Sequence, residues 1–485
     1  MKRLIALAAC VLTVAACQDG STPTAAAPQA QPAQLLGIVP TVKIDPVLTT
    51  LLNLASPTQQ LEVLVTFDPT RTNTGNVARA LTGSGAGIIK FRNLPIVFAL
   101  ATPSQIASIA TRPGIVSVYS NKQLRYHLAE STRAIRATTA WNTGYTGKGV
   151  GIAILDSGVD GLYNPGLAYG SKTVHNVKYA LAVRDLVTFD PSEPAPGGEL
   201  FVANVPSSET TVGHGTHVAG IAAGNGAGSS GGYYRGVAPD ASIIGIGAGD
   251  ILFVFWTLAG MDYLLDIREQ YNIQVLNNSW GSTGAYDPAD PVNVATKELY
   301  KAGIAVVFAA GNEGPGENTL NPYSAAPWVI SVAAGCKFGI SPDPTNSAAL
   351  CADGRNSILA DFSSRGISGD PNVHPDVTAP GVNIVSTRAA LGAVMNGLDL
   401  PSDALDCNVG IQHVQYFTCS SGTSMSAPHV AGVIALLEEA AGGQLSPLQA
   451  YNAVINTARP LSGYAEWEVG AGFVDAYAAA LSVVP

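Results

Sequence analysis

Residues 420–432 read SSGTSMSAPHVAG and lead from a turn of small residues into the pattern of a buried helix. The apolar residues that follow recur at the spacing of one helical face: Val430, Val433, Ile434 and Leu437. We expect Pro428 in the first turn, where a missing N–H is tolerated, and Gly442-Gly443 at the end of the helix. The pattern therefore places the Ser424 hydroxyl in the partial positive charge of a helix N-terminus.

A serine in this position has two explanations. Serine is a favoured N-cap residue, and a lone serine before a helix is a cap more often than a nucleophile. A nucleophilic serine needs a histidine base, an acid that orients the histidine, and hydrogen-bond donors for an oxyanion. The choice between the two depends on whether the rest of the chain supplies these partners.

The composition is that of a globular protein with more than one folding unit. The chain has 485 residues, of which 47% are hydrophobic and 12% are charged. Its formal net charge of −10 argues against nucleic acid as a partner.

The N-terminus has the features of an export signal. Residues 1–17 combine Lys2 and Arg3 with a short apolar core and end in VAAC, which resembles a bacterial lipobox with Cys17 as the lipidated residue. The alternative is an ordinary signal peptide that is cleaved nearby. We expect residues 18–57, rich in Ala, Pro, Gln, Ser and Thr, to be a flexible linker, and no later apolar run reaches membrane length.

Residues 58–128 alternate between strand and helix patterns in the order β-α-β-β-α-β. This order predicts a small ferredoxin-like α+β domain. The segment carries no set of residues that indicates catalysis.

From residue 129 the pattern changes to strands that alternate with helices, which predicts a parallel α/β sheet. Three nearly continuous apolar runs are typical of strands buried on both faces: 150–155, 273–281 and 304–310. Asp156 and Asn312 follow the ends of two of these runs, where ligands gather in parallel sheets. Taken alone, Asp156 could be an ion-pair partner and Asn312 a turn residue.

Two histidines lie in GHGTHVAGIAAG, residues 213–224. His214 and His217 are three residues apart at the start of a helical run, so we expect one to face solvent and the other to be packed. A metal site is the alternative, but the neighbouring glutamate of the H-E-x-x-H pattern is missing.

Four motifs occur together and in a fixed order: ILDSGVD, HGTHVAG, AAGNEG and GTSMSAPHVAG. They resemble the motifs of the subtilisin-like serine proteases, and the resemblance covers residues 129–485. It implies a three-layer catalytic domain around a parallel sheet. Residues 58–128 resemble, more weakly, the inhibitor propeptide of that family.

The resemblance implies a role for each motif residue. Ser424 would be the nucleophile, His214 its base, and Asp156 the group that orients the imidazole. Asn312 would donate its amide to the oxyanion together with the backbone N–H of Ser424. His217 would be structural.

A further resemblance concerns substrate binding. The segment Ser279-Trp280-Gly281 is similar to the family's edge segment, which pairs with the substrate backbone as an added strand. Glu313 could line the first specificity pocket. We expect no cofactor or metal to be required for catalysis; structural calcium is possible, but no loop of the sequence can be assigned to it.

Cysteine usage agrees with export. Cys336, Cys351, Cys407 and Cys419 remain after the signal region and allow three pairings. We expect the nearest-neighbour pairing, which closes two short loops.

We expect an exported endopeptidase that acts on protein or peptide substrates. A catalytically inactive subtilase fold used for binding, and a hydrolase of other esters or amides, are the alternatives. The precursor would be an outer-membrane lipoprotein or periplasmic protein, attached to the membrane only through a lipid on Cys17. The propeptide would act as an intramolecular inhibitor and be cut off between about residues 124 and 131, which releases a secreted enzyme.

Charge adds one expectation about the propeptide. Residues 18–128 contain 8 Lys+Arg and 4 Asp+Glu, whereas residues 129–485 contain 15 and 31. A basic propeptide would therefore face an acidic enzyme, an attraction that salt screens.

Overall fold

The computed structural model describes residues 43–121, 125–126, 131–179, 200–249, 252–337, 351, 358–390, 393, 395, 407, 409, 413–443 and 445–485. The strands are β1 Lys43–Ile44, β2 Leu61–Phe67, β3 Gly87–Lys90, β4 Ile96–Ala101, β5 Ile115–Ser120, β6 Arg125–Tyr126, β7 Gly151–Asp156, β8 Thr173–Tyr179, β9 Phe201–Ala203, β10 Ser242–Gly247, β11 Ile273–Asn278, β12 Trp280–Gly281, β13 Ala305–Ala309, β14 Val329–Gly335, β15 Val377–Pro380, β16 Ile384–Thr387 and β17 Phe417–Ser420. The α-helices are α1 Pro46–Leu54, α2 Thr74–Gly83, α3 Pro103–Ala110, α4 Ala137–Asn142, α5 His214–Ala223, α6 Val254–Ile267, α7 Pro291–Lys301, α8 Thr423–Ala440, α9 Pro447–Asn456, α10 Glu466–Val469 and α11 Ala476–Ser482. The predicted signal peptide, Cys17 and the first part of the predicted linker lie outside the described residues.

The first domain has the ferredoxin-like order that the sequence predicts, β2-α2-β3-β4-α3-β5. Within the described residues its sheet has the strand order β1-β5-β2-β4-β3. Helices α2 and α3 bury apolar side chains such as Val77, Leu81 and Ile106 in a core on one face of the sheet. The opposite face carries a second set of apolar residues, which the second domain covers.

The predicted flexible linker at 18–57 is wrong over its last part, because β1 and α1 form there. Strand β1 pairs in parallel with β5, with Lys43 opposite Ser117. The Asp45 carboxylate caps α1 by accepting from the N–H groups of Val47 and Leu48, and it also accepts from the N–H of Ser120 at 2.6 Å. This buried carboxylate fastens the segment to the sheet.

The second domain is built on an eight-stranded sheet, counted within the described residues, in the order β15-β14-β13-β11-β7-β10-β8-β9. All pairs in this sheet are parallel except β8 with β9. Along β7, Ile152 and Ile154 enter one core with α5 and α8, while Ala153 and Leu155 enter another with α6 and α7. The alternation shows a sheet between two helical layers, which confirms the predicted three-layer fold.

Helix α8 differs from expectation at its start. It begins at Thr423, so Pro428 lies in the second turn and not in the first. Its N-cap residue is Gly422, which has no side chain, so Ser424 is not the cap. The end agrees with the sequence, because Ala441 is the C-cap and Gly442 and Gly443 follow with φ values of 78° and 81°.

The two domains share a continuous apolar interface. Phe98 of β4 packs on Phe255 of α6, with ring centroids 4.7 Å apart, and both rings are fully buried. At the N-terminus of α6, the side-chain oxygen of Asn121 accepts from the N–H of Phe255 at 2.6 Å, so the residue that follows β5 of the first domain caps a helix of the second.

The predicted cysteine pairing is confirmed in the structure. Cys336 is bonded to Cys351 and Cys407 to Cys419, with a Cα–Cα distance of 6.2 Å in each disulfide. Within the part of the chain that the structure describes, no helix is long and apolar enough to cross a membrane.

Candidate active site

Asp156 and His214 meet where a strand ends and a helix begins. Asp156 is the last residue of β7, and its Oδ1 lies 2.6 Å from Nδ1 of His214, the first residue of α5. The same oxygen accepts from the N–H of Ser157 at 2.7 Å. Both side chains are buried, so the carboxylate fixes a hydrogen on Nδ1 and leaves Nε2 of the neutral ring with its lone pair.

A close approach between two backbone segments makes this contact possible. A Cβ atom at Gly215 would lie 2.2 Å from the carbonyl oxygen of Gly158, so only glycine fits there. Ser157 Oγ accepts from the N–H of Gly215 at 2.9 Å. The first turn of α5 is thereby attached to the loop that follows Asp156.

Glu209 reinforces the same attachment, and no sequence motif indicated it. Its carboxylate accepts from the Thr216 hydroxyl at 2.7 Å and from the Thr216 N–H at 3.2 Å. It thus caps a helix whose N-cap residue, Gly213, has no side chain. Burial raises the pKa of Glu209, and the charge of Asp156 raises it further.

The prediction that one of the two histidines faces solvent is wrong, because His214 and His217 are both fully buried. The His217 ring donates from Nε2 to the carbonyl oxygen of Thr418 at 3.3 Å. Burial lowers the pKa of His217 to about 3, and neighbouring His214 contributes to the shift. Among the described residues, no group of three or more His, Cys, Asp or Glu side chains could hold a metal ion.

Ser424 lies in the first turn of α8 and faces the edge segment. Its Oγ donates to the carbonyl oxygen of Ser279 at 2.7 Å. The indole Nε1 of Trp280 donates to the carbonyl oxygen of Leu155 at 2.8 Å, which ties the edge segment to the strand that ends in Asp156. The predicted site residues from four separate motifs therefore lie in one region of the fold.

Asn312 is held by the residue next to Ser424. Its Oδ1 accepts from the N–H of Thr423 at 2.9 Å and from the Thr423 hydroxyl at 2.8 Å. Because a backbone N–H can only donate, the amide oxygen must be the atom that faces Thr423. The Nδ2 group is therefore the end of the side chain that remains as a donor.

The edge segment is paired in this structure. Strand β12 pairs antiparallel with β6, with Trp280 opposite Tyr126 and Gly281 opposite Arg125. The partner strand follows the sheet of the first domain along the chain, so the edge holds a stretch of the protein itself as an added strand.

A small pocket that is open to solvent lies beside the edge segment. The residues that line it include Gly281, Gly311, Asn321 and Glu313. The Glu313 side chain is exposed, as expected for a carboxylate at the rim.

Comparison with known proteins agrees with this geometry. The Subtilase family profile matches residues 147–474, about two thirds of the chain. The chain belongs to the subtilase family. The serine protease AprX of Bacillus subtilis (strain 168) is 31% identical over 369 residues, which cover 72% of this chain and 71% of AprX. This subtilase is thus a serine endopeptidase, as the motifs predicted, and proteins or peptides are its substrates.

Other relatives of this subtilase differ in location and length. The minor extracellular protease Epr of the same bacterium is 26% identical over 376 residues, which cover 72% of this chain and 44% of Epr. The major intracellular serine protease of that bacterium is 27% identical over 379 residues, covering 74% of this chain and 92% of the relative.

A solved structure supports the fold. Fervidolysin from Fervidobacterium pennivorans, described as a keratinolytic enzyme related to subtilisin, superposes with a TM-score of 0.62 at 21% sequence identity. The match covers 92% of this chain and 63% of fervidolysin, so this subtilase spans less than two thirds of that protein.

Proposed function

We propose that this subtilase cleaves peptide bonds through an acyl-enzyme formed on Ser424. Asp156 holds the hydrogen of the His214 ring on Nδ1, so Nε2 is the nitrogen that takes the hydroxyl proton of Ser424. The Ser424 oxygen bonds to the carbonyl carbon of the substrate, and the C–N bond breaks as His214 returns the proton to the leaving amine. A water molecule then hydrolyses the ester by the same proton route.

Asn312 and the Ser424 N–H are proposed as donors to the oxyanion that forms in each step. Support comes from Thr423, which occupies the amide oxygen of Asn312 and leaves its Nδ2 as a donor. The segment Ser279-Trp280-Gly281 would bind the substrate backbone as an antiparallel strand. The exposed carboxylate of Glu313 would draw basic side chains into the adjacent pocket.

Self-processing is the second part of the proposal, and the pairing of β6 with β12 is the observation that supports it. The register sets Arg125 opposite Gly281 and Tyr126 opposite Trp280. Towards Tyr126 the pairing approaches Ser279, whose carbonyl oxygen is 2.7 Å from Ser424 Oγ. We therefore propose that Ser424 cuts its own chain near residue 128, within the predicted range of about 124–131.

The remaining parts of the proposal concern location and inhibition. Residues 1–17 direct export, and Cys17 carries the lipid that holds the precursor at the membrane. The first domain blocks the edge until it is cut off. The same cut would separate the anchored part from the catalytic domain, so maturation and release become one event.

The proposal is tested by comparing wild type with Ser424→Ala in cells that are separated into membrane and soluble fractions. We expect wild type to yield a soluble protease whose N-terminal sequence begins near residue 128. Ser424→Ala should remain full-length, membrane-bound and inactive on casein. A Ser424→Ala protein that is cut and released like wild type would show that another protease does the processing, and one that still hydrolyses casein would refute the assigned nucleophile.

A further inference from the structure

Ser279 and Ser424 exchange two hydrogen bonds in opposite directions. The Ser279 hydroxyl donates to the carbonyl oxygen of Ser424 at 2.5 Å, and the Ser424 hydroxyl donates to the carbonyl oxygen of Ser279 at 2.7 Å. Both residues are fully buried. The side chain of Ser279 therefore contacts the backbone of the proposed nucleophile, whereas substrate pairing at the edge uses backbone groups alone.

Pro428 explains why the Ser424 carbonyl oxygen is available to Ser279. In an α-helix the carbonyl of each residue accepts from the N–H four residues later. For Ser424 that residue is Pro428, which lies inside α8 and has no N–H. A buried carbonyl without a donor costs about 1–3 kcal/mol, so the Ser279 hydroxyl supplies a hydrogen bond that the helix cannot form.

Asn277 controls the direction of the Ser279 hydroxyl. The two side chains meet at 2.9 Å, from Nδ2 of Asn277 to Oγ of Ser279. Since the Ser424 carbonyl can only accept, the Ser279 hydrogen points towards it, and the group on the Asn277 side must donate. Asn277 is fully buried on β11, so this donor is fixed by the sheet.

We propose that the Ser279 side chain is a positioning residue for Ser424. It would hold the first turn of α8 against the edge segment. Asn277 orients the hydroxyl, and the hydroxyl donates to the Ser424 carbonyl oxygen, for which Pro428 has no N–H. The inference rests on the proposed role of Ser424 as nucleophile. Loss of the Ser279 hydroxyl should slow the bond-breaking step with little effect on substrate affinity, because the backbone groups of the edge remain.

The test measures the first-order rate at which the full-length chain cleaves itself after refolding. Every molecule of this chain carries its own substrate. Ser279→Ala should slow this rate by about 10- to 100-fold. Pro428→Ala restores a helical N–H for the Ser424 carbonyl, so the double variant Ser279→Ala/Pro428→Ala should be cleaved within about fivefold of Pro428→Ala alone. For the matured enzymes, KM for a peptide should change less than about threefold.

Ser426→Ala is the matched control. It removes another buried hydroxyl of α8, which donates to the carbonyl oxygen of Pro380 at 3.2 Å, and should leave the cleavage rate within about threefold of wild type. Asn277→Ala gives a second way to disturb the contact if Ser279→Ala does not fold. It should slow cleavage by about three- to tenfold, and adding Pro428→Ala should relieve this slowing in the same way.

Three results would overturn the inference: a Ser279→Ala rate within twofold of wild type, equal slowing by Ser426→Ala, or independent effects of Ser279→Ala and Pro428→Ala. Ser424→Ala, run in parallel, separates the two levels of the proposal. An inactive Ser424→Ala beside a fully active Ser279→Ala refutes the positioning role alone, whereas self-cleavage by Ser424→Ala refutes the nucleophile itself.

Discussion

The backbone N–H of Ser131 donates to Nε2 of His429 over 2.5 Å. His429 lies in α8, five residues after Ser424, and its Nδ1 donates to the carbonyl oxygen of Met425 at 2.6 Å. The ring is thus neutral, with a donor at one nitrogen and an acceptor at the other. The chain just beyond the proposed cut is held by the helix that carries the proposed nucleophile.

Acid should destabilise the catalytic domain through its buried histidines. Burial lowers the pKa of both His217 and His429 from 6.5 to about 3. Above pH 6.5 the folded and unfolded states are both neutral at these rings. As the pH falls from 6.5 to about 3, these rings gain protons only in the unfolded state. The free energy of unfolding therefore decreases by about 1 kcal/mol per pH unit for each ring.

We predict that His429→Gln, which keeps an acceptor for the Ser131 N–H, flattens this pH dependence. Urea unfolding between pH 4 and pH 7, in the Ser424→Ala background to prevent autolysis, measures the slope. The part of this slope that the two histidines contribute should fall by roughly half. An unchanged slope would mean that His429 does not titrate as its burial requires.

The second prediction concerns Asn312. Asn312→Ala should lower kcat about 10²- to 10³-fold, the typical loss for one oxyanion donor, with KM nearly unchanged. Thr423→Val removes one of the two hydrogen bonds to Oδ1 but keeps the backbone N–H, so kcat should fall only about three- to tenfold. Steady-state kinetics on one peptide measure both, and a larger loss in Thr423→Val than in Asn312→Ala would contradict the assigned orientation.

The third prediction concerns how the first domain is held. The Asp262 carboxylate accepts from the N–H groups of Arg92 and Asn93 at 2.9 and 2.7 Å, and Asp266 accepts from the Arg92 guanidinium at 2.8 Å. Asp262→Ala should therefore let the cut first domain leave about 10- to 100-fold faster, seen as an earlier rise of protease activity after self-cleavage.

Salt and pH provide controls for that prediction. Asp266→Ala should have a smaller effect that high salt reduces, because salt screens the partly exposed ion pair of Asp266 with Arg92. The hydrogen bond from Asn93 Nδ2 to Asp266, at 2.9 Å, should account for the part that remains. Burial raises the pKa of Asp262, so mild acid should neutralise it and speed release in wild type. In Asp262→Ala this acid effect should be weaker; an identical pH response would exclude Asp262 as its origin.

The fourth prediction concerns the disulfides. Peptide mapping without reduction should recover Cys336 with Cys351 and Cys407 with Cys419. Replacing both Cys407 and Cys419 by serine opens a short loop and should cost about 3 kcal/mol in the chain-entropy description. Thermal unfolding measures the loss, and free thiols at all four positions in the exported protein would contradict the pairing.

The sequence was sufficient to predict those parts of the fold and the site that depend on local hydrophobic pattern and on short motifs. The order of strands and helices in the first domain and the buried strands of the second follow from hydrophobic periodicity. The four motif residues were recognisable because their neighbours are small and their order is fixed. The start of α8 is an exception, because proline is most often tolerated in the first turn of a helix, whereas Pro428 lies in the second turn. There the Ser279 hydroxyl donates to the carbonyl oxygen of Ser424, which Pro428 cannot reach with an N–H.

Contacts between distant residues could not be predicted. Asn93 and Asp262 are 169 residues apart, and Ser279 and Ser424 are 145 apart, so only the folded chain brings them together. The segment with α1 resembles a linker in sequence, because its Pro and Thr residues are also typical of linkers. In that segment Asp45 followed by Pro46 was an available signal, a helix cap before a proline at the first helical position.

The parallel pairing of β1 with β5 has a consequence for where the proposed inhibitor stays after the cut. It attaches Lys43 and Ile44 to the sheet of the first domain, which lies before the proposed cut. With a lipid on Cys17, each self-cut would leave one inhibitor molecule fixed at the cell while one protease diffuses away. Tethering maintains a local inhibitor concentration that dilution removes from the departing enzyme. Proteolysis would then be suppressed next to the producing cell and would increase with distance from it.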